Sequence, residues 1–577
     1  MNRFPVSIPQ PTSWLKGIIF LLPLLFFAAF YFYPLTAIFS LSFAPDGRFQ
    51  LDTLSQLISR PLFARTLWFT IWQAAASTLL TLLLALPGAY IFARYQFPGK
   101  SSLKAFITLP FVLPTVVVAN AFTALIGPRG LLNEGLMGLF DLASPPIQLD
   151  QTIWIILLAH VFYNYSIALR MISGFWQNLP INLTQAAQML GASRRRAFIE
   201  ITLPLLAPVV LAAAVLIFIF CFTSFGVILI LGGPRYATLE VEIYRQAVNL
   251  FNLPLAAALS LLQILFTFTL MWVYTQLQAR LSFPLRLQAA QATAKPIRHW
   301  WDGLLVGSNL LIMLLLLGAP LLALVTRSFW GSDGWTLRFY QELFINRRDS
   351  VFFVPPVEAI VNSVGFGLIT VLLATTLGLF STLLIVRASQ QGEMPTPLAW
   401  VGRWFGRVLD PLLMLPLATS AVTLGFGFIL ALNRPPFDLR SSAILIPIAH
   451  TLIGMPFVIR SLLPAIRSIN PRLREAASLL GAAPGRVWLE IDWPLMRRAL
   501  LVGAVFAFTV SMGEFGATLF LARPQTPTLP VAIFRFLGQP GALNYGQALA
   551  MSTLLMGVCA AGFLAIERFR LGDEGEF

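Results

Sequence analysis

The chain has 577 residues, of which 57% are hydrophobic and 11% charged, with a formal net charge of +15 and a mean hydropathy of +0.78. Soluble domains carry about 25% charged residues, so a water-soluble fold is excluded. Nucleic acid is excluded as a partner too, because Lys and Arg lie in short segments between apolar runs and not in a basic domain with interleaved aromatics.

Taken in chain order, the N-terminal MNRFPVSIPQPTSWLKG leads into an apolar run that is longer than a signal-peptide core and lacks a clear small-residue cleavage site, so it reads as a first span. Apolar runs long enough to cross a bilayer follow near 17–43, 66–93, 105–126, 152–172, 206–231 and 254–276, then near 302–326, 357–386, 410–432, 442–460, 499–522 and 546–566. An all-α membrane protein of about twelve helices is expected, embedded in the lipid bilayer. With both termini cytoplasmic, about 25 Lys and Arg fall on the inside and about 13 outside, which supports that orientation. Cys221 and Cys559 each lie inside an apolar run, and the three histidines show no ligand spacing, so neither disulfides nor a metal site is expected.

One polar segment interrupts the apolar pattern. LTQAAQMLGASRRRAFIEITLP (183–204) recurs as LREAASLLGAAPGRVWLEIDWP (473–494), with Gly191 and Gly481, and Pro204 and Pro494, each 290 apart (481 − 191; 494 − 204). The same offset aligns AHVFYNYSIALR (159–170) with AHTLIGMPFVIR (449–460), and SFGVILILGGP (224–234) with EFGATLFLARP (514–524). The chain is therefore a tandem duplication of two six-helix halves in the same orientation, a parallel repeat. Its expected division is 1–279 for the first repeat, 280–300 for a basic cytoplasmic linker and 301–577 for the second.

In each polar segment the small residues Ala186 and Ala187, or Ala476 and Ala477, suit a short helix, and Gly191 or Gly481 allows a turn. A second short helix then carries Phe198 or Trp488, before Pro204 or Pro494 opens a membrane helix. Such a helix–turn–helix suits packing on the protein's own surface, with its arginines meeting lipid phosphates. Two copies at one register also suit a symmetric partner with two matching sockets, into which Phe198 and Trp488 would insert.

The pattern Glu-Ala-Ala-x3-Gly, followed by Leu/Trp-Pro, resembles the signature loop of binding-protein-dependent ABC importer permeases, and the resemblance covers essentially the whole chain. It implies a type I permease fold in two fused repeats and a homodimeric ABC ATPase subunit docking on both loops. It further implies an extracytoplasmic solute-binding protein that delivers a small-molecule substrate, in a bacterial plasma (inner) membrane. Glu475, Ala476, Ala477 and Gly481 match the pattern, whereas Gln185 replaces the glutamate in the first copy. Segments 157–171, 221–248 and 513–534 are similar to the thiamine branch of this family, which implies thiamine or its phosphates as cargo. Ferric iron is the alternative cargo, and an ion-coupled secondary transporter the alternative class.

No cofactor and no enzyme chemistry are expected in this chain. PGKSS (98–102) has the tail of a phosphate loop, but Arg94 stands where its first glycine is needed, so hydrolysis belongs to another subunit. Glu514 is a carboxylate within an apolar span, which marks it either as part of the substrate path, with Ser224 at the paired position, or as a packing group hydrogen-bonded to its neighbours. His160 and His450 read as satisfied hydrogen-bonding groups of the bundle. In the outer loop GGPRYATLEVE (232–242), Arg235, Glu240 and Glu242 suit either docking of the solute-binding protein or simple solvation.

Overall fold

In a computed structural model, the described residues are 21–45, 47–50, 52–179, 181–280, 295–297, 299–331, 334–346, 354–391, 399–433, 438–439 and 442–571. The first copy runs α1 (Leu21–Phe43), α2 (Pro61–Arg94), α3 (Lys100–Val112), α4 (Thr115–Ile126), α5 (Ile153–Gln177), α6 (Ile181–Met189), α7 (Leu203–Phe222), α8 (Gly226–Leu231), α9 (Leu239–Tyr244) and α10 (Leu253–Arg280). The second repeats that order as α11 (Trp300–Ser328), α12 (Pro356–Gln391), α13 (Ala399–Ala418), α14 (Ala421–Ala431), α15 (Leu445–Ser468), α16 (Pro471–Leu479), α17 (Trp493–Gly513), α18 (Gly516–Leu521), α19 (Leu529–Leu537) and α20 (Ala542–Leu571). Among the described residues, eleven helices are long and apolar enough to cross a membrane, and the pair Val408–Ala418 and Ala421–Ala431, bent by 95°, brings the number to twelve.

Four expected spans are not continuous rods. The one expected at 105–126 breaks where Leu113, placed before Pro114, is driven into extended backbone. Its counterpart at 410–432 breaks at Ser420, also extended, whose hydroxyl accepts the Val422 N–H at 3.2 Å and so caps α14. The spans expected at 206–231 and 499–522 stop at Phe222 and Gly513, and each is followed by a separate six-residue helix, α8 or α18.

The chain packs as two compact units, each drawing its residues from both sides of 280–300. One takes its residues from Met1–Gln50, Glu342–Arg535 and Leu554–Phe577; the other from Leu51–Gln341 and Phe536–Thr553. Helix α1 is thus built into the core of the second copy, where Phe27 and Tyr31 are fully buried with Leu413, Leu424 and Phe428. The Tyr31 hydroxyl lies 2.6 Å from Thr419 Oγ1, and Gly427 leaves room for Pro34 and Ile38, which a Cβ there would meet at 3.1 Å. Helix α11 is built into the other unit in the corresponding way, with Gly318 beside Phe106. The reason is local: each first helix finds its small-residue contacts and polar partners on the copy it does not begin.

Most of the expected linker lies outside the described residues. Its end is held in the second unit, where Lys295–Pro296 pairs in parallel with Tyr95–Gln96 and the Tyr95 hydroxyl donates to Asp302 Oδ1 at 3.0 Å.

Close backbone contact also joins α14 to α18, because a Cβ on Gly425 would lie 2.8 Å from Ala517 Cα and 2.9 Å from its carbonyl oxygen. Gly425→Ala is expected to lower stability by about 1–3 kcal/mol through overpacking. Gly365→Ala, where an added Cβ meets nothing within 4 Å, should be neutral or stabilising by up to about 1 kcal/mol. Thermal unfolding of the purified variants in detergent checks both.

Candidate functional site

The two polar segments fold alike. Helix α6 ends in a turn closed by Gly191 N–H to Gln188 O and Ala192 N–H to Ala187 O, both at 3.0 Å; α16 ends the same way, with Gly481 N–H to Ser478 O and Ala482 N–H to Ala477 O at 3.0 Å. Gly191 and Gly481 adopt φ of 91° and 80°, a left-handed conformation that costs a side-chain-bearing residue about 1–2 kcal/mol. A short second helix follows, Arg194–Ala197 or Pro484–Val487, then one wide turn, Phe198–Thr202 or Trp488–Asp492, leading into α7 or α17. Both segments carry the same exposed i,i+4 pair, Arg196–Glu200 at 2.9 Å and Arg486–Glu490 at 2.8 Å.

Trp488 is half-buried against its own lobe's core, and the Phe198 ring, though part exposed, lies 6.3 Å from Trp176. The unpacked apolar surface is at the turn itself, where Met189 and Leu190 are 88% and 90% exposed and Leu479 and Leu480 are both 88% exposed. Gln185, Ala186, Gly191 and Pro204 are exposed in the first copy, as are Ala476 and Gly481 in the second; Ala187, Glu475, Ala477 and Pro494 are half-buried. The signal for Leu479 and Leu480 was in the sequence: two large apolar residues immediately before a glycine in an otherwise polar segment.

A second matched feature lies inside the bundle. A stripe of buried polar residues, Thr66, Thr70, Gln73, Ser77 and Thr81, runs along one face of α2. His160 on α5 lies between Ser77 Oγ and Ser224 Oγ, each 2.9 Å from a ring nitrogen. Gln73 donates to the Cys221 carbonyl at 2.9 Å, satisfying an acceptor that the end of α7 leaves without a helical partner.

In the second copy His450 lies 2.7 Å from Ser511 Oγ and 2.8 Å from Thr518 Oγ1. Both histidines are hydrogen-bonded bundle groups, as expected. Glu514 is buried, and its carboxylate accepts the N–H groups of Ala517 at 2.8 Å and Thr518 at 2.9 Å, together with the Thr518 hydroxyl. His450 Nε2 is 3.3 Å from the same carboxylate. Glu514 thus caps α18 where the membrane offers no water to do so. Ser224, its paired residue, is buried beside His160.

The outer-loop expectation is corrected. Glu240 and Glu242 are 2% and 1% exposed, so neither presents its carboxylate to a partner in this conformation; they accept from Gln263 at 2.5 Å and Gln246 at 2.6 Å. Arg235 alone of the three is exposed, its guanidinium over the Tyr236 ring. Sequence reasoning placed these carboxylates in solvent because a polar cluster between spans looks the same whether it leaves the membrane or folds back into it. PGKSS turns at Pro98–Gly99 into α3, with Lys100 donating to the Tyr95 carbonyl at 2.8 Å. Among the described residues there is no group of three or more His, Cys, Asp or Glu that could hold a metal.

A many-spanning helical protein with two copies of one polar loop between its spans is a transport permease in architecture. The chain belongs to the family described as binding-protein-dependent transport system inner membrane component, whose model matches residues 85–283 and 394–570. It is an ABC importer permease with two fused repeats, a multi-pass inner-membrane protein and not itself an enzyme. Among its relatives, the thiamine transport system permease protein ThiP of Brucella abortus is 27% identical over 514 residues, covering 87% of this chain and 86% of the relative. ThiP of Escherichia coli is 26% identical over 504 residues, covering 87% and 88%. A probable ABC transporter permease of Sinorhizobium fredii, y4fN, is 25% identical over 543 residues, covering 91% of each chain.

Glu514→Ala strands two buried N–H groups and a hydroxyl and is expected to cost about 1–3 kcal/mol. Ser224→Ala removes one hydroxyl partner of His160 and should cost about 0.6 kcal/mol, the usual worth of a side-chain hydrogen bond in a membrane bundle. Denaturant unfolding in detergent would detect the difference.

Proposed function

We propose that the chain carries thiamine, or a thiamine phosphate, inward across the membrane by alternating access, with the energy supplied by ATP hydrolysis in a separate homodimeric subunit. That subunit docks on residues 183–204 and 473–494, which face the cytoplasm together with both chain termini. An extracytoplasmic solute-binding protein delivers the cargo to the opposite face. The observation that carries the coupling role is the pair of exposed apolar turns, Met189–Leu190 and Leu479–Leu480, presented in the same local fold at one sequence offset. Apolar side chains left so exposed on a protein surface mark an interaction site. The thiamine assignment is supported by the named relatives, which align over most of both chains.

In this reading ATP closes the ATPase dimer, the docking helices α6 and α16 move with it, and the stroke passes into α7 and α17. Glu514 serves as the cap of α18 and not as the group that attracts a cationic cargo.

Reconstitution in lipid with the candidate ATPase and binding protein tests this. Thiamine or thiamine diphosphate is expected to stimulate ATP hydrolysis several-fold, and Gly481→Arg to abolish the stimulation, because Arg disfavours φ of 80° and adds bulk at the docking turn. Stimulation by ferric iron alone would remove the thiamine assignment. Stimulation undiminished in Gly481→Arg would remove the coupling role.

A further inference from the structure

The first docking loop is joined to its lobe by a line of aromatic rings. Phe198, in the wide turn that leads into α7, has its ring centroid 6.3 Å from that of Trp176 at the end of α5. Trp176 is 5% exposed and lies 5.4 Å from Tyr90, near the end of α2; Tyr90 in turn meets Tyr95 edge to face at 6.1 Å. The Tyr95 hydroxyl donates to Asp302 in the first turn of α11, and Ile91, Tyr95 and Val306 bury one another there. All of these residues belong to one compact unit.

The line is built of stiff parts. Aromatic pairs hold preferred tilts at about 4.5–7 Å between centroids, and a packed interior has low compressibility, so a push on one side chain is passed to the next. The end of α5 is also bonded directly to α2, because Gln177 Nε2 donates to the Phe92 carbonyl at 2.8 Å. A displacement of the turn at Phe198 therefore bears on α2 and, through Tyr95 and Asp302, on α11, as well as on α7, which follows the turn in the chain. The two copies place the bulk at this contact differently. The positions 290 residues after Phe198 and Trp176 (488 − 198; 466 − 176) are Trp488 and Ile466, and Trp488 packs on a core that contains Ile466. Each copy thus puts one tryptophan at the pair, on the span in the first and on the wide turn in the second.

We infer that Trp176 is a positioning residue for coupling: it takes up the movement of the first docking loop from Phe198 and passes it through Tyr90 and Tyr95 to α2 and α11. The inference rests on the docking role proposed above, and its test separates the two.

Cys221 and Cys559 are buried, so introduced cysteines can be spin-labelled selectively. Labels at Leu190→Cys on the docking turn and Leu304→Cys near the base of α11, both exposed positions, report the loop against α11 in the isolated permease. Trp176→Ile is expected to at least double the width of the distance distribution. Phe198→Trp combined with Trp176→Ile, the arrangement of the second copy, is expected to restore it. If Trp176→Ile does not fold, Tyr90→Leu, at an exposed position, should broaden the distribution in the same way. A width left unchanged in a folded variant would overturn the inference.

Transport per ATP, in lipid with the candidate ATPase and binding protein, then reads the consequence. In Trp176→Ile it is expected to fall about tenfold while the ATPase still co-purifies, with recovery in the exchanged pair. A fall in thermal stability with transport per ATP unchanged would make Trp176 merely structural and overturn the inference, as would a loss that the exchanged pair does not recover. Failure of the unsubstituted permease to retain any ATPase, with the label widths as expected, would instead remove the docking role and leave the aromatic line as a mechanical link between the loop and α11.

Discussion

Every polar backbone group inside the bilayer has to be satisfied by the protein itself, and this structure breaks its helices there repeatedly. The breaks are possible because side chains take over the bonds that a continuous helix would have made. Glu514 accepts two N–H groups at the start of α18, Ser420 accepts one at the start of α14, and Gln73 donates to a carbonyl at the end of α7. Thr70 on α2 accepts the Leu239 N–H at 3.1 Å, and Ser363 on α12 accepts the Leu529 N–H at 2.6 Å, so the same bond opens α9 and α19. Without these partners the short helices would leave buried donors and acceptors unpaired, at about 1–3 kcal/mol each.

The duplication shows which of these bonds the fold requires and which the two copies have solved differently. The hydroxyl that opens α9 and α19 is kept, and so is a histidine with both ring nitrogens at hydroxyl groups. What stands beside that histidine is not kept. Glu514 in one copy corresponds to Ser224 in the other, and the carboxylates of the first copy, Glu240 and Glu242, correspond to Pro530 and Ala532. The buried glutamates Glu240, Glu242 and Glu514 thus stand at different places in the two copies, each accepting from amide or hydroxyl donors of the same lobe, while the helix geometry was preserved.

Much of the architecture was legible because hydropathy and a fixed offset are properties of the sequence itself. The span positions, the repeat, the helix–turn–helix loops with glycine at the turn and the bonded histidines all follow from residue type and spacing. The broken spans were not legible in the same way. SFGVILIL and EFGATLFL continue an apolar run without interruption, and an average over such a run records how apolar it is, not which way it points. The exchange of α1 and α11 was equally hidden, since two apolar helices of similar length carry no mark of which core they enter. Where the outer loop was misread, at Glu240 and Glu242, the residue type was right for a surface role and tertiary packing had already engaged it.

A single turn shows how backbone demand and side-chain choice separate. Gly541, just before α20, has φ of 111°, and the residue 290 positions earlier is Phe251, which keeps a left-handed φ of 53°. Glycine is the ordinary solution there, because any Cβ crowds the following carbonyl. Phe251 nonetheless holds the conformation with its side chain exposed, so no local packing of the ring supports it. The conformation is held by what surrounds it: Leu250 N–H to Arg245 O at 3.0 Å, Asn252 N–H to Gln246 O at 2.8 Å, and the start of α10 immediately after. The turn is thus a property of the helices it joins. The same logic applies to the two polar loops, where Gly191 and Gly481 preserve one path of the backbone while other positions of the loop differ, Thr184 and Thr202 in one copy and the bonded pair Arg474–Asp492 in the other.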